Sequence, residues 1–239
     1  MSLRGQRVVV VGGTTGIGFA VAEAAARDGA AVVVASRRRA KVDAAVRRLP
    51  EGAEGHVLDV TDETAVRDFF ATVGAFDHLV YTAGESPAFG ALATTDLADI
   101  QQLFNTRLLS VYATVKYATP YLRAAGSITF TTGVLSLRPS PGSSTVVGLA
   151  GAVETLTRAL AVELAPLRVN AVQPGLVRTD LLLNLPADLR DRLVKTATET
   201  LPVGRIGEPE DVAEAYLYLM RGGYSTGTVV RVDGGSVLV

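Results

Sequence analysis

Short apolar runs, dense in valine, alternate along the chain with segments whose apolar residues recur every three to four positions. The runs are "RVVVVGG" (7–13), "AVVVAS" (31–36), "GHVLDV" (55–60), "FDHLVYTAG" (76–84), "GSITFTTG" (126–133), "LRVNAVQPG" (167–175) and "TGTVVRVDGG" (226–235). They are of strand length and nearly continuous in apolar character, as strands covered on both faces are. Between them, 18–30, 39–50, 63–73, 96–123 and 144–165 carry the helical period. Pro50 stops the second helix, Thr61 or Asp62 caps the third, and Pro120 falls near the end of the fourth. Continuous apolar strands separated by helices predict an α/β domain with a parallel sheet and helices on both faces. Nothing reads as a linker or repeat, so 1–239 is expected to be one domain. The irregular stretch is about 176–208, where Pro186, Pro202 and Pro209 surround a short amphipathic helix at 187–199. A long excursion after the C-terminal end of a strand is where α/β proteins carry substrate lids.

Composition narrows the chemistry. The chain has 239 residues, 48% hydrophobic and 20% charged, with a net charge of −1 and a mean hydropathy of +0.30. That balance offers no sequence-wide attraction to nucleic acid or to acidic membranes. The apolar runs are too short to span a bilayer, and "MSLRGQRVVVVGG" lacks the apolar core of a signal peptide. A soluble, cytoplasmic protein is the expectation. With no cysteine, disulfides, thiol catalysis and cysteine-ligated zinc are excluded. His56 and His78 are the only histidines, so a multi-histidine metal site cannot be built, and no metal is expected. Both read as half-buried residues at strand edges.

Between the first strand and the first helix stands "VGGTTGIGFA", with Gly12, Gly16 and Gly18 in a G-x-x-x-G-x-G spacing. Glycines there allow a tight turn and close backbone approach to a pyrophosphate, which meets the free N–H groups of the helix start. Thr14, Thr15 and Ile17 belong to the same loop. The second strand ends "VVVASRRR", at Ser36, Arg37, Arg38 and Arg39. NAD-binding folds carry a carboxylate at that end; here none would repel a 2′-phosphate, and Arg37 can clamp one. NADP(H) is therefore favoured over NAD(H). Arg39 reads as a solvated helix start, and Arg38 stays open between the two roles.

With those residues in place, the chain resembles the short-chain dehydrogenase/reductase family along essentially its whole length. Asp59 and Val60, in "LDV", stand where the family meets the adenine ring. "YTAG" (81–84) stands in place of Asn-Asn-Ala-Gly and brings Thr82, Ala83 and Gly84 to the cofactor. "FNTRLLSVY" puts Asn105 at the family's active-site asparagine, and "LRVNAVQPGLVRT" supplies Pro174, Gly175 and Thr179 beside the nicotinamide end. "LPVGRIGEPEDVAEAYLYL" and "YSTGTVVRVDGG" match the C-terminal helix and last strand. The resemblance implies a seven-stranded doubly wound Rossmann domain, assembled as a homodimer or homotetramer and acting on a small-molecule substrate.

It also implies a serine after the fifth strand, a tyrosine thirteen residues on and a lysine four beyond. Those places hold Gly133, Val146 and Ala150. A one-residue slip rescues nothing, since no Tyr or Lys lies between Arg123 and Lys195. The pair Tyr112 and Lys116 has the Tyr-x-x-x-Lys spacing but sits on the preceding helix, where a surface or interface role fits better. Thr132, Ser136, Ser143, Ser144 and Thr145 surround the vacated places; Tyr81, Arg138 and Lys195 could also approach. Asn105 and Ser136 are the candidate catalytic residues, Ser136 because its place lines the family's substrate pocket. Gly148 and Gly151 invite close packing, either by a second subunit or by the chain's own sheet.

Three readings stay open. One is an NADP(H)-dependent oxidoreductase with a substitute proton source, acting on a small carbonyl or alcohol compound. Another is a non-catalytic NADP(H) sensor or partner subunit. The third is a lyase or isomerase without net redox chemistry.

Overall fold

The computed structural model describes residues 2–84 and 89–239. Seven parallel strands form one sheet in the order β3-β2-β1-β4-β5-β6-β7. They are β1 (Arg7–Val11), β2 (Ala31–Ser36), β3 (Glu54–Val57), β4 (Phe76–Tyr81), β5 (Leu122–Thr131), β6 (Arg168–Pro174) and β7 (Val229–Val232). The helices are α1 (Gly16–Arg27), α2 (Arg39–Arg48), α3 (Glu63–Val73), α4 (Leu97–Phe104), α5 (Ser110–Ala118), α6 (Ser144–Glu163), α7 (Asp180–Leu183), α8 (Ala187–Thr200) and α9 (Pro209–Arg221). Two apolar cores lie on opposite sides of the sheet. One packs Val9, Leu79, Ile128 and Val169 against α3, α5 and α6; the other packs Val8, Val10, Val34 and Val80 against α1 and α9. Adjacent strand residues point to opposite faces, so unbroken valine runs feed both cores at once. This is the doubly wound Rossmann architecture.

The termini of the elements have local causes. Asp62, not Thr61, caps α3: its Oδ1 accepts from the amides of Thr64 (2.9 Å) and Ala65 (3.1 Å). The stretch expected as one helix over 96–123 is instead broken twice. A π-helical turn, Asn105–Leu109, separates α4 from α5. Hydroxyls feed this turn, with Thr106 donating to the Gln102 carbonyl (3.0 Å) and Ser110 to that of Thr106 (2.5 Å). Pro120 then ends the helix, and β5 begins at Leu122, four residues earlier than expected, because Leu122 pairs with Phe76. The pairing needs an irregularity between Phe76 and His78, and a Cβ at Gly126 would fall 2.1 Å from the Asp77 carbonyl oxygen.

Helix α6 spans 20 residues and is long and apolar enough to cross a bilayer by length and composition, although the apolar runs of the sequence are strand-sized. Its inner side, with Val153, Leu156 and Leu160, packs onto the sheet as part of a core. Gly148 and Gly151 do not serve that contact: a Cβ at either meets nothing within 4 Å. Packing on the chain's own sheet is thereby removed as their purpose.

His56 is half-buried on edge strand β3, as expected, but His78 is 2% exposed in the middle of the sheet. Its Nδ1 meets Ser127 Oγ at 2.8 Å and its Nε2 meets Gln6 Oε1 at 3.0 Å. Burial, assisted by the charge of Arg168 and opposed by Asp77, pushes the imidazole down to about 4. The unfolded chain takes up this proton near pH 6.5. Stability from neutral His78 is therefore complete above that pH and lost as the pH falls toward 4. The loss reaches about 3 kcal/mol. Urea unfolding of wild type between pH 7 and 4 is expected to show this fall, and His78→Gln to flatten it by about that amount.

Candidate functional site

In an open parallel sheet the ligand crevice opens beyond the carboxyl ends of the strands, where the winding reverses. Here the reversal lies between β1 and β4, and the glycine loop sits on it. Gly12 has φ +90°, and a Cβ there would be 2.6 Å from the Ala83 nitrogen and 2.7 Å from Thr82 Oγ1. A Cβ at Gly18 would be 2.4 Å from both the Gly12 carbonyl oxygen and Thr82 Oγ1. The loop, the first turn of α1 and the end of β4 are thus packed backbone to backbone. Thr82 fixes the contact by donating its amide (2.8 Å) and hydroxyl (3.2 Å) to the Val11 carbonyl. Gly16, at φ +53°, faces Thr179 across the crevice, with Thr179 Cγ2 3.1 Å from a Cβ there. Thr15 precedes the first residue of α1, and the helix start is aimed into this space.

The other candidates for cofactor contact line the same edge. Ser36, Arg37 and Arg38 follow β2; Asp59 and Val60 follow β3; Ala83 and Gly84 follow β4; Pro174 closes β6, with Gly175 and Thr179 beyond it. Thr14 and Ile17 belong to the β1–α1 turn. Burial would raise the Asp59 carboxyl. The Thr61 amide (3.0 Å), the Thr61 hydroxyl (2.7 Å) and the charge of Arg37 outweigh it and hold the group below the usual range. Asp59 and Arg37 are thereby neighbours at the outer end of the crevice. Arg39 pairs with Asp43 on its own helix and is mostly exposed, as a solvated helix start would be. A dinucleotide fits this edge: a cradle that any Cβ would fill, a helix start beneath it, and arginines where an acidic residue would exclude a 2′-phosphate.

The inner end of the crevice lies beyond β4, β5 and β6. Asn105 opens the π-helical turn, a distortion common at functional sites. Two residues on, the Arg107 guanidinium lies against Gly84: a Cβ at Gly84 would be 2.6 Å from Arg107 Cζ. Gly133 follows β5 with open space around it, and Val146 and Ala150 occupy the first two turns of α6.

Ser136 is half-buried on the turn after β5 (Val134–Ser136), and its hydroxyl is engaged. It donates to Glu154 Oε1 at 2.7 Å and accepts from Gln173 Nε2 at 3.0 Å. Glu154 Oε1 also accepts from Thr132 Oγ1 (3.0 Å) and Gln173 Nε2 (2.8 Å). Sequence reasoning passed over Glu154 and Gln173, both of which are buried. The usable signal for Glu154 was its place one turn beyond Ala150 on an otherwise apolar helix.

Other polar candidates point elsewhere. Tyr81 is fully enclosed, its hydroxyl 2.6 Å from Ser110 Oγ on α5. Burial, against the Ser110 contact and the charge of Arg107, pushes it up to about 12. Ser143 closes its own turn with Ser140. Arg138 donates to the Ser236 carbonyl (2.9 Å). Lys195 lies exposed on α8 beside Glu199. Lys116 pairs with Glu63 of α3 at 2.9 Å and lies over Tyr117, while Tyr112 is half exposed, so these two do not act as a pair. Among the described residues, no three His, Cys, Asp or Glu are grouped to hold a metal.

The stretch 176–208 leaves from β6 and returns to its own base. Val177 and Gly207 form a parallel bridge, and the amide–carbonyl pairs Arg178–Gly207 and Gly207–Leu176 are each 2.9 Å. Helix α8 within it has no buried residue. Lys41 of α2 reaches Asp180 of α7 at 2.8 Å, tying the outer end of the crevice to this excursion.

Comparison with known proteins adds four findings of one kind. A family profile described as Enoyl-(Acyl carrier protein) reductase matches residues 11–236. The chain is 36% identical to the short-chain dehydrogenase/reductase ATR9 of Stachybotrys chlorohalonatus, over 99% of each. Among solved structures, it matches a small-chain dehydrogenase in complex with NADPH at 37% identity and TM-score 0.87, over 98% of this chain and 99% of that one. It matches the MalC reductase/Diels-Alderase of Malbranchea aurantiaca at 33% identity and TM-score 0.92, over 99% and 98%.

Proposed function

From the premise that this chain belongs to the short-chain dehydrogenase/reductase family, we propose that it is an NADP(H)-dependent oxidoreductase acting on a small carbonyl or alcohol compound without the usual serine–tyrosine–lysine set. The observation that carries the reading is the cradle at the β1–β4 reversal, where Gly12 and Gly18 leave no room for a Cβ beside Thr82 and Ala83. So close a fit is what bringing backbone amides up to a pyrophosphate requires. Bound NADPH supplies a hydride, and the chain's part is to hold and orient the reactants and manage the proton. Gly12, Thr14, Thr15, Gly16, Ile17 and Gly18 would hold the pyrophosphate. Ser36, Arg37 and Arg38 would hold the 2′-phosphate, and Asp59 and Val60 the adenine. Thr82, Ala83, Gly84, Pro174, Gly175 and Thr179 would hold the nicotinamide half.

Gly133, Val146 and Ala150 offer no ionisable group at the usual catalytic places. Asn105 and Ser136 are then the polar side chains assigned to meet the substrate, and 176–208 is the lid over it. Losing general acid–base catalysis costs about 10²–10⁴-fold, which leaves room for turnover of an activated carbonyl. The exposed Leu109 on the π-helical turn, the exposed Tyr112 on α5 and Val162 on α6, and the open Gly148 and Gly151 support assembly as a homodimer or homotetramer. Light scattering of the purified protein measures that directly.

The test is fluorescence titration with NADPH, followed by incubation with a panel of ketones, aldehydes and enones. NADPH binding with substrate-dependent oxidation is expected. Binding with no oxidation of any compound would assign the protein to the non-catalytic sensors instead. Arg37→Ala should weaken NADPH by about 10–100-fold, the worth of a charge-assisted hydrogen bond, while leaving NADH affinity nearly unchanged. Equal losses for both cofactors would remove Arg37 from the 2′-phosphate site.

A further inference from the structure

The carboxyl group of Glu154 is buried at the inner end of the crevice. Its Oε1 gathers three donors, from Thr132 at the end of β5, Ser136 on the following turn and Gln173 on β6. Only one of these, Ser136, is a hydroxyl on the turn that borders the open space at Gly133. A serine hydroxyl has one proton and two lone pairs. The proton lies between Glu154 Oε1 at 2.7 Å and the Gly133 carbonyl at 3.1 Å, and Gln173 donates to one lone pair at 3.0 Å. One lone pair remains, on a half-buried side chain at the edge where the substrate must lie. A hydroxyl so arranged is set to accept a proton from outside and pass its own inward.

We propose that Glu154 is the proton terminus of this site, exchanging protons with a bound alcohol or carbonyl compound through the Ser136 hydroxyl. The proposal rests on the oxidoreductase reading above. In alcohol oxidation the substrate O–H bond breaks and its proton joins Ser136 Oγ, whose own proton moves to Glu154 Oε1. The carbon–hydrogen bond pair leaves as hydride to NADP⁺, and the electron pair of the former O–H bond closes the carbonyl. Carbonyl reduction runs the same transfers in reverse and ends with a proton taken from water by Glu154. Gln173 holds both partners of the relay, with one N–H bond to each. Ser136 touches the substrate; Glu154 is a positioning and proton-holding residue that acts through it.

The test uses the full chain and the isosteric Glu154→Gln, together with Ser136→Ala and the double variant. Each single change should lower kcat for the best compound of the panel by about 10²–10⁴-fold, the usual worth of a positioned acid–base group. NADPH affinity should not move, and the double variant should be no slower than the worse single one. A second readout needs no cofactor. Infrared difference spectra of cofactor-free wild type against Glu154→Gln should show one carboxyl band, and loss of its hydroxyl donor in Ser136→Ala should shift that band. If wild type turns over and Glu154→Gln stays within threefold of it, or the band is unmoved in Ser136→Ala, the relay is overturned while the oxidoreductase reading stands. If wild type binds NADPH but oxidises it with no compound while the band is present, the oxidoreductase reading fails, and the relay with it.

Discussion

Gly18→Ala is expected to weaken NADPH binding by at least about 100-fold, equivalent to roughly 2.7 kcal/mol. The added Cβ would lie 2.4 Å from the Gly12 carbonyl oxygen and from Thr82 Oγ1, far inside van der Waals contact. Neither neighbour can yield alone. The Gly12 carbonyl belongs to the loop that must meet the pyrophosphate, and Thr82 is held to Val11 by two hydrogen bonds. The first turn of α1 has to lift instead, carrying its N–H groups away from the ligand. Overpacking of this kind also costs about 1–3 kcal/mol of stability, so unfolding curves should accompany the titration. Gly223→Ala, where a Cβ meets nothing within 4 Å, is the control and should change neither quantity. Wild-type affinity in folded Gly18→Ala would move the cofactor away from this loop.

The second large effect runs in the opposite direction. In the Glu154→Gln background, Gly133→Ser, Val146→Tyr and Ala150→Lys together are expected to raise turnover of a simple ketone by about 10²–10⁴-fold, the contribution of a general acid. Ala150→Lys alone should tighten NADPH by about 10–100-fold by adding a charged donor. Space favours the first two changes, while Ala150 is buried. Gly133 is extended at φ −169° with nothing within 4 Å of a Cβ, and Val146 is only half-buried. Val146 and Ala150 lie one turn apart on one face of α6, so a tyrosine and a lysine there would converge. A folded triple variant with unchanged affinity and unchanged turnover would mean that this face does not border the nicotinamide.

Much of the layout was legible because it depends on neighbours along the chain. Valine runs marked the strands, and β2 fell on 31–36 as expected. The glycine spacing marked the loop, since a tight turn and close approach are demands on backbone atoms that only glycine meets. Pattern failed where a residue's surroundings come from elsewhere. Helical period cannot show that the hydroxyls of Thr106 and Ser110 open a π turn at Asn105. Nor does the polarity of His78 show that it is sealed between Gln6 and Ser127.

The sequence by itself determined the class of fold, the position of the dinucleotide cradle and the absence of ionisable groups at Gly133, Val146 and Ala150. These follow from residue type and spacing, which act over one turn or one strand. Only the tertiary structure decided which polar groups gather where those were expected. Parallel pairing of Thr131 with Val172 sets Thr132 beside Gln173, and α6 crossing over that pair delivers Glu154 to both and to Ser136. The four residues come from two strand ends, a turn and a helix. Their meeting is a matter of sheet register and helix packing, which no local pattern encodes.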